Sequence, residues 1–450
     1  MPVSPLDSPV FGTLFGSDAM RALFDERAWL QRMLDVEAAL ARVQSRLGII
    51  PEGAGAAITA AARIEHLDTH ELARSVRDSG YPVVGVTKGL SRAAGEAGGF
   101  VHWGATTQDI MDSATALQLR DALALLRADI VRLIGVLVRQ AERHRDTLMA
   151  GRTYLQHAIP TTLGRRVIGW LLPFLAHIER LDQLRPRATF VQFGGAVGTL
   201  ASLGERGVAV MQGLAAELGL GEPAAPWHVS RDGFAEAVAF CGLLSGSLAK
   251  IATDIVLLAQ TELGEVGEPH VPGRGGSSTM PQKRNPITSA YVIAASRAVQ
   301  AQVPLMLGAM NQAHDRGAGD WQAEPLAIGQ SFVLTHGALL HTLDIADGMA
   351  VDAARMRRNL DSTGGLIVAE AVMMRLAPKL GRAEAHHAVQ HACERALAEG
   401  IPLATALGSE PELAGKLDRL EIERATDPAG YLGSTQAFID RVLERARTVF

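Results

Sequence analysis

Residues 113–146 read SATALQLRDALALLRADIVRLIGVLVRQAERHRD. Leu117, Leu119, Leu123, Leu126, Ile130, Val131, Ile134, Leu137 and Val138 recur at helical steps, and Gly135 is the one break. They spread over more than one face, which suits a helix buried by several neighbours. Leu163–Leu184, Gly233–Leu263, Ile287–Gln312 and Leu326–Met349 read the same way, with kinks expected at Pro173 and Pro304. Five such helices predict a central bundle, with sites built between helices and in the loops at its ends. The excess of apolar surface predicts that bundles of different subunits pack together.

The flanks differ from this centre. Met33, Val36, Leu40, Val43 and Leu47 fall on one face of a shorter helix that Pro51 and Gly53 close. Beyond residue 350 the pattern returns to short amphipathic helices such as Asp352–Leu360 and Ala383–Glu399. No series of alternating strands with hairpin turns is legible, nor the strand–helix alternation of a parallel sheet. The reading is an all-α chain of three consecutive helical domains, 1–112, 113–349 and 350–450.

Composition narrows the partners. The 450 residues are 48% hydrophobic and 20% charged, with a net charge of −5. That balance offers no general attraction to nucleic acid or to an anionic membrane. Met1–Gly12 lacks a basic start followed by an apolar stretch, and the run Val167–Ile178 is too short to span a bilayer. A cytoplasmic protein is expected. Cys241 and Cys393 are far apart, without a Cys-x-x-Cys partner, and read as inert thiols. His387 and His391 are four apart, with His386 beside them, but no third ligand accompanies them. An exposed polar face is the better reading, and no metal is expected.

The chemistry concentrates in Gly275–Pro286, GGSSTMPQKRNP. Gly273, Gly275 and Gly276 let backbone approach a ligand, while Ser277, Ser278, Lys283 and Asn285 put hydroxyl, ammonium and amide groups on one loop. It is not a phosphate-binding Walker loop. By composition alone it could equally be a solvated connection.

This segment closely resembles the signature of the fumarase/aspartase superfamily. His102–Asp109, HWGATTQD, is similar to the superfamily's first conserved region, and Gly151–Thr162, GRTYLQHAIPTT, to its second. All three occur in the expected order. The resemblance implies a homotetramer whose active sites each draw these regions from three different subunits. It implies a small polycarboxylate substrate, no cofactor, and proton transfer at a carbon next to a carboxylate through an aci-carboxylate dianion. Ser277 is then the general base or acid at that carbon. Thr106, Thr107, Lys283, Asn285 and loop N–H groups are the donors that stabilise the dianion, with Gln156 and Ser278 as further substrate contacts. His157, directly after Gln156, is the group handling the departing atom, because imidazole titrates near neutrality. His102 is read as a substrate contact or as a brace for its loop. Arg316 is read as a carboxylate clamp or as half of a surface ion pair.

Stretches outside the loops resemble one branch of the superfamily, which closes a lactone on a tricarboxylate. They are Leu34–Arg42, Gln192–Gly198, Pro226–His228 with Arg231–Asp232, Val351–Asp361 and Asp427–Gly433. Trp321–Pro325 departs from that branch, with proline where tryptophan is expected, and Gly80–Gly85 is looser than its pattern. A lyase cleaving the C–N bond of an amino- or nitro-substituted succinate would use the same Ser277. A scaffold without activity would have lost that set, and the set is present.

Overall fold

The computed structural model describes residues 4–450; residues 1–3 of the expected first segment lie outside the described residues. Helices dominate it. Glu26–Arg46 (α1) begins where the Asp25 carboxylate caps Ala28 N–H at 2.6 Å, and its buried face carries Leu30, Met33, Val36, Leu40 and Val43. The five long helices are Thr107–Arg143 (α2), Leu163–Ala188 (α3), Asp232–Leu258 (α4), Ile287–Gly308 (α5) and Asp320–Gly348 (α6).

Their ends depart from the sequence reading for local reasons. α2 starts six residues early, just after the left-handed Gly104 (φ 75°). α4 stops at Leu258, because Gln260 O collects Leu263 N–H and Gly264 N–H in a turn that needs Gly264 at φ 58°. α3 continues through Pro173, and α5 through Pro304. α4 is long and apolar enough to cross a membrane by length and composition, with half of its most apolar window buried.

A hairpin went unread in the sequence. Leu148–Thr153 (β1) pairs antiparallel with Gln156–Thr162 (β2). Its turn is made by Tyr154 (φ 49°) and Leu155 (φ 64°), both left-handed, where Gly, Asn or Asp would have announced it. Gly151 sits where the register shifts, and a Cβ there would stand 2.6 Å from Ile159 O. Val266–Gly267 (β3) and Ala350–Val351 (β4) form a second small pair.

By proximity the residues divide into two compact units, each drawing on three stretches. One comprises Met1–Ile130, Ala176–Ala249 and Tyr291–Leu340; the other comprises Val131–Leu175, Lys250–Ala290 and His341–Phe450. In the first unit His336, almost fully buried, bridges Ser17 Oγ (2.6 Å) and Asp129 Oδ2 (2.7 Å). In the second, Gln140 Nε2 donates to Ala346 O (2.9 Å) and Trp170 Nε1 to Asp254 Oδ2 (2.7 Å). A separate apolar cluster in that unit, including Val372, Leu376, Leu403, Leu407 and Leu413, holds the short C-terminal helices together.

Candidate active site

In the first unit the candidate residues gather around two buried carboxylates. Glu37 lies on the buried side of α1. Its Oε1 meets His102 Nδ1 at 2.6 Å, and its Oε2 accepts from His102 N–H at 3.1 Å. This double grip holds His102 in a left-handed conformation (φ 61°). Burial works against a charge on His102, but the Glu37 carboxylate outweighs it and raises the imidazole above its ordinary value. With Nδ1 engaged by Glu37, Nε2 is the nitrogen left to act on a ligand.

Asp109, fully buried, is the second anchor. Its carboxylate accepts from Thr106 N–H (3.0 Å), Gly194 N–H and Gly195 N–H (both 2.9 Å), and meets His228 Nε2 at 2.7 Å. One side chain thus ties the start of α2 to the Gln192–Gly198 and Pro226–His228 stretches. Thr107 is the first residue of α2 beside it. Arg316 Nη1 donates to Thr106 Oγ1 and Nη2 to Ala196 O, both at 3.1 Å, and among the described residues no carboxylate pairs with it. Its Nε is buried with no acceptor among the described residues.

Behind these groups lies Arg231, completely buried and forked to both Asp112 and Glu324 at 2.6–2.9 Å. The rings of Trp227 and Phe234 lie 4.9 and 5.0 Å from its guanidinium carbon. Trp321 Nε1 donates to Asp112, and Tyr81 stacks on Trp321 with centroids 5.2 Å apart. Gln322 Nε2 donates to Tyr81 Oη at 2.7 Å. The two stretches that depart from the expected pattern therefore touch each other. Pro325, with Trp321 and Trp29, lines a cavity of about 270 Å³ next to them.

In the second unit the signature loop is held at its base. Glu268 accepts from Thr288 N–H, Ser289 N–H and Ser289 Oγ, capping α5 and fastening the two ends of the loop. Asn285 N–H donates to Gly275 O at 2.8 Å, which needs Gly275 at φ 71°. Ser277 Oγ accepts two backbone N–H groups, Met280 at 3.0 Å and Thr279 at 3.2 Å. Donors aimed at a hydroxyl oxygen favour its ionised form. Ser278 and Lys283 are exposed on the same loop, and Asn285 is half-buried.

His157 lies on β2 opposite Arg152, and Gln156 opposite Thr153. Arg152 forks to the buried Glu265 at 2.9 and 2.6 Å, and Asn359 Nδ2 also donates to Glu265 at 2.8 Å. Burial first, and repulsion by Arg152 second, push His157 below its ordinary value and so favour the uncharged imidazole.

The structure thus holds His102 on Glu37 and Thr106 on Asp109, ties Arg316 to Thr106, gathers Ser277, Ser278, Lys283 and Asn285 on one loop, and sets His157 on the hairpin. The sequence reading missed Glu37, Asp109, Arg152 and Glu265 as supports. Glu37 carried a signal, a carboxylate on the apolar face of α1; Glu265 carried none. His387 and His391 face different carboxylates, Glu412 at 3.8 Å and Glu410 at 3.1 Å. Burial raises the Cys241 thiol to about 12, while Cys393 is only half-buried.

Known proteins resemble this chain over most of its length. A family described as Lyase matches residues 15–301, and one described as Adenylosuccinate lyase C-terminus matches 365–442. A 3-carboxy-cis,cis-muconate cycloisomerase of Pseudomonas aeruginosa is 48% identical over 438 residues, covering 96% of this chain and 95% of that one. The crystal structure of 3-carboxy-cis,cis-muconate lactonizing enzyme from Pseudomonas putida is similar with a TM-score of 0.95 at 45% identity, covering 98% of this chain and 100% of that one. A nitrosuccinate lyase of Streptomyces davaonensis is 40% identical over 450 residues, covering 97% of this chain and 95% of that one.

Proposed function

The chain belongs to the lyase family of the fumarase/aspartase superfamily and is an enzyme, and from that premise we propose that it converts 3-carboxy-cis,cis-muconate to its lactone. The observation that carries this reading is the likeness, 48% identical over 438 residues, to a 3-carboxy-cis,cis-muconate cycloisomerase, and the pair of backbone N–H groups on Ser277 Oγ supports Ser277 as the proton-transfer group. A serine hydroxyl is a poor proton-transfer group at its free pKa, and those donors lower the cost of the alkoxide.

The reaction is an isomerisation. A carboxylate oxygen of the substrate adds to an alkene carbon and closes the ring. The neighbouring carbon then carries the charge of an aci-carboxylate, the Ser277 hydroxyl gives its proton there, and the resulting alkoxide is reprotonated from water. Thr106, Thr107, Lys283 and Asn285, with the Ser278 segment, stabilise the dianion. Arg316 clamps a carboxylate and His102, oriented by Glu37, contacts the substrate with Gln156. His157 is assigned to the opposite side, at the carboxylate oxygen that closes the ring, with no net proton passing through it. No cofactor or metal is needed for these steps.

We further propose a cytoplasmic homotetramer with sites shared among subunits. Leu172, Leu243, Leu305, Leu307 and Leu326, all on the long helices, are between 39% and 60% exposed, which favours cover by other copies.

A second reading is kept for one observation. Tyr81, Trp321 and Gln322 join the two departures from the expected pattern at a single place. A pocket wall changed there would suit a C–N lyase of a substituted succinate, with His157 serving the leaving nitrogen. A substrate panel separates the two. Absorbance is followed with 3-carboxy-cis,cis-muconate, adenylosuccinate, argininosuccinate, aspartate and nitrosuccinate. The expected outcome is the highest kcat/KM for carboxymuconate. Undetectable lactonisation beside ordinary cleavage of a succinate C–N bond rejects the cycloisomerase reading.

A further inference from the structure

Two features stand outside this chemistry: the stretch Asp427–Gly433 and the adjacent pair Arg165–Arg166. They meet at a cavity of about 850 Å³ in the second unit, between the hairpin and the loop Gly430–Ser434, with Trp170 and Phe438 among its apolar walls. Ser277, His157, Lys283 and Asn285 do not line it.

Its charges are unbalanced. Arg152, Arg165, Arg166 and Lys250 line it against Asp254 and Glu370. Arg152 is engaged by Glu265, and Lys250 is hydrogen-bonded to Asp254. Asp254 also takes the Trp170 N–H, which leaves Arg166 Nη1 4.0 Å away from it. Arg166 is only 21% exposed, and its Nε is buried with no acceptor among the described residues. Burial above all, with Arg152 repelling it, works against its charge. A largely buried guanidinium whose counter-charge stands 4.0 Å away has room at its exposed nitrogens for a second acceptor.

We propose that this cavity binds a small di- or tricarboxylate, gripped by Arg166 and Arg165, at a site separate from the catalytic groups. The fork geometry of Arg166 suits a carboxylate, and the walls of Trp170 and Phe438 suit a short carbon skeleton. Ala158 and Ile159 of β2 line the same cavity, so the ligand bears on the strand that carries His157.

Citrate is the probe, titrated calorimetrically into the full-length protein and into Ser277→Ala. One binding event per chain is expected to persist in Ser277→Ala and to weaken by about tenfold or more in Arg166→Gln. Lys250→Met is the second variant; Lys250 is largely exposed, and its removal frees Asp254 to turn to Arg166, so citrate binding weakens there too. Carboxymuconate turnover without citrate should stay within about threefold of wild type in both variants. Citrate binding unchanged in both variants overturns the proposal. So does collapse of turnover in Arg166→Gln with oligomer and melting temperature intact, or another copy's side chain filling the cavity in a crystal of the assembly. The citrate result stands apart from the substrate panel, since failure of lactonisation leaves it unaltered.

Discussion

Ser277 and His102 are both set by what their polar atoms touch. Ser277→Ala keeps the loop's backbone but removes the oxygen that Thr279 and Met280 N–H point at. Turnover is expected to fall by about a hundredfold to ten-thousandfold, as for loss of a positioned acid–base group. The circular dichroism and oligomer size should stay unchanged, and activity within tenfold of wild type would reject Ser277. The His102–Glu37 pair predicts a pH signature. A raised histidine adds stability that is fully present below the unfolded value of about 6.5 and is lost as pH rises through the folded one. Glu37→Gln removes the charge that raises it. The stability gap between wild type and variant, from urea midpoints, should be widest near pH 5.5 and shrink toward pH 8. A gap constant over that range would mean that His102 is not held charged by Glu37.

Among the elements, the hairpin is the one held against local preference. Tyr154 is fully exposed and Leu155 largely so, and both adopt left-handed backbone. Such a conformation costs an L-residue roughly 1–2 kcal/mol, whereas glycine adopts it freely. Glycine's own entropy cost of roughly 0.5–1 kcal/mol offsets part of the gain. Leu155→Gly should therefore raise the melting temperature slightly. If it also lowers kcat, the exposed tip has a role in turnover that outweighs the strain. A lower melting temperature would show that Leu155 makes a stabilising contact in the assembly. α2 illustrates the opposite case. Its start is fixed by Asp109, which collects Thr106, Gly194 and Gly195 N–H groups, so propensity had little to decide there.

At the scale of the molecule, we propose that the apolar faces of the long helices set the assembly. α4 exposes Leu243 and α5 exposes Leu307, 55% and 52% respectively. Sedimentation of the wild type should give a tetramer. Leu243→Glu combined with Leu307→Glu should yield smaller species with turnover lost, because isolated subunits would not complete a shared site. A monomer that retains full activity would refute the shared-site proposal. The three consecutive domains 1–112, 113–349 and 350–450 remain our proposal for the chain's division along its length. Proximity in space groups the residues otherwise, into two units that each gather three separate stretches.

Helix content and the superfamily's signature segments were legible in the sequence. Apolar period and turn residues act over a few positions, so Leu117 to Val138 announce α2 and Gly273 to Gly276 announce a loop. Membership of the superfamily was legible too, because its signature is contiguous. Other features depend on partners that no local pattern joins. Glu37 meets His102 65 residues away, and Asp109 meets His228 119 residues away. Arg231 is tolerable in the core only because Asp112 and Glu324 reach it from both directions along the chain; losing both would leave its charge buried and uncompensated. The hairpin hid because Tyr154 and Leu155 are not turn formers, and the cavity beside Arg166 exists only where residues 151–170 come together with residues 430–438. A buried charge is settled by its tertiary neighbours, since its solvation cost must be met by groups brought from elsewhere in the chain.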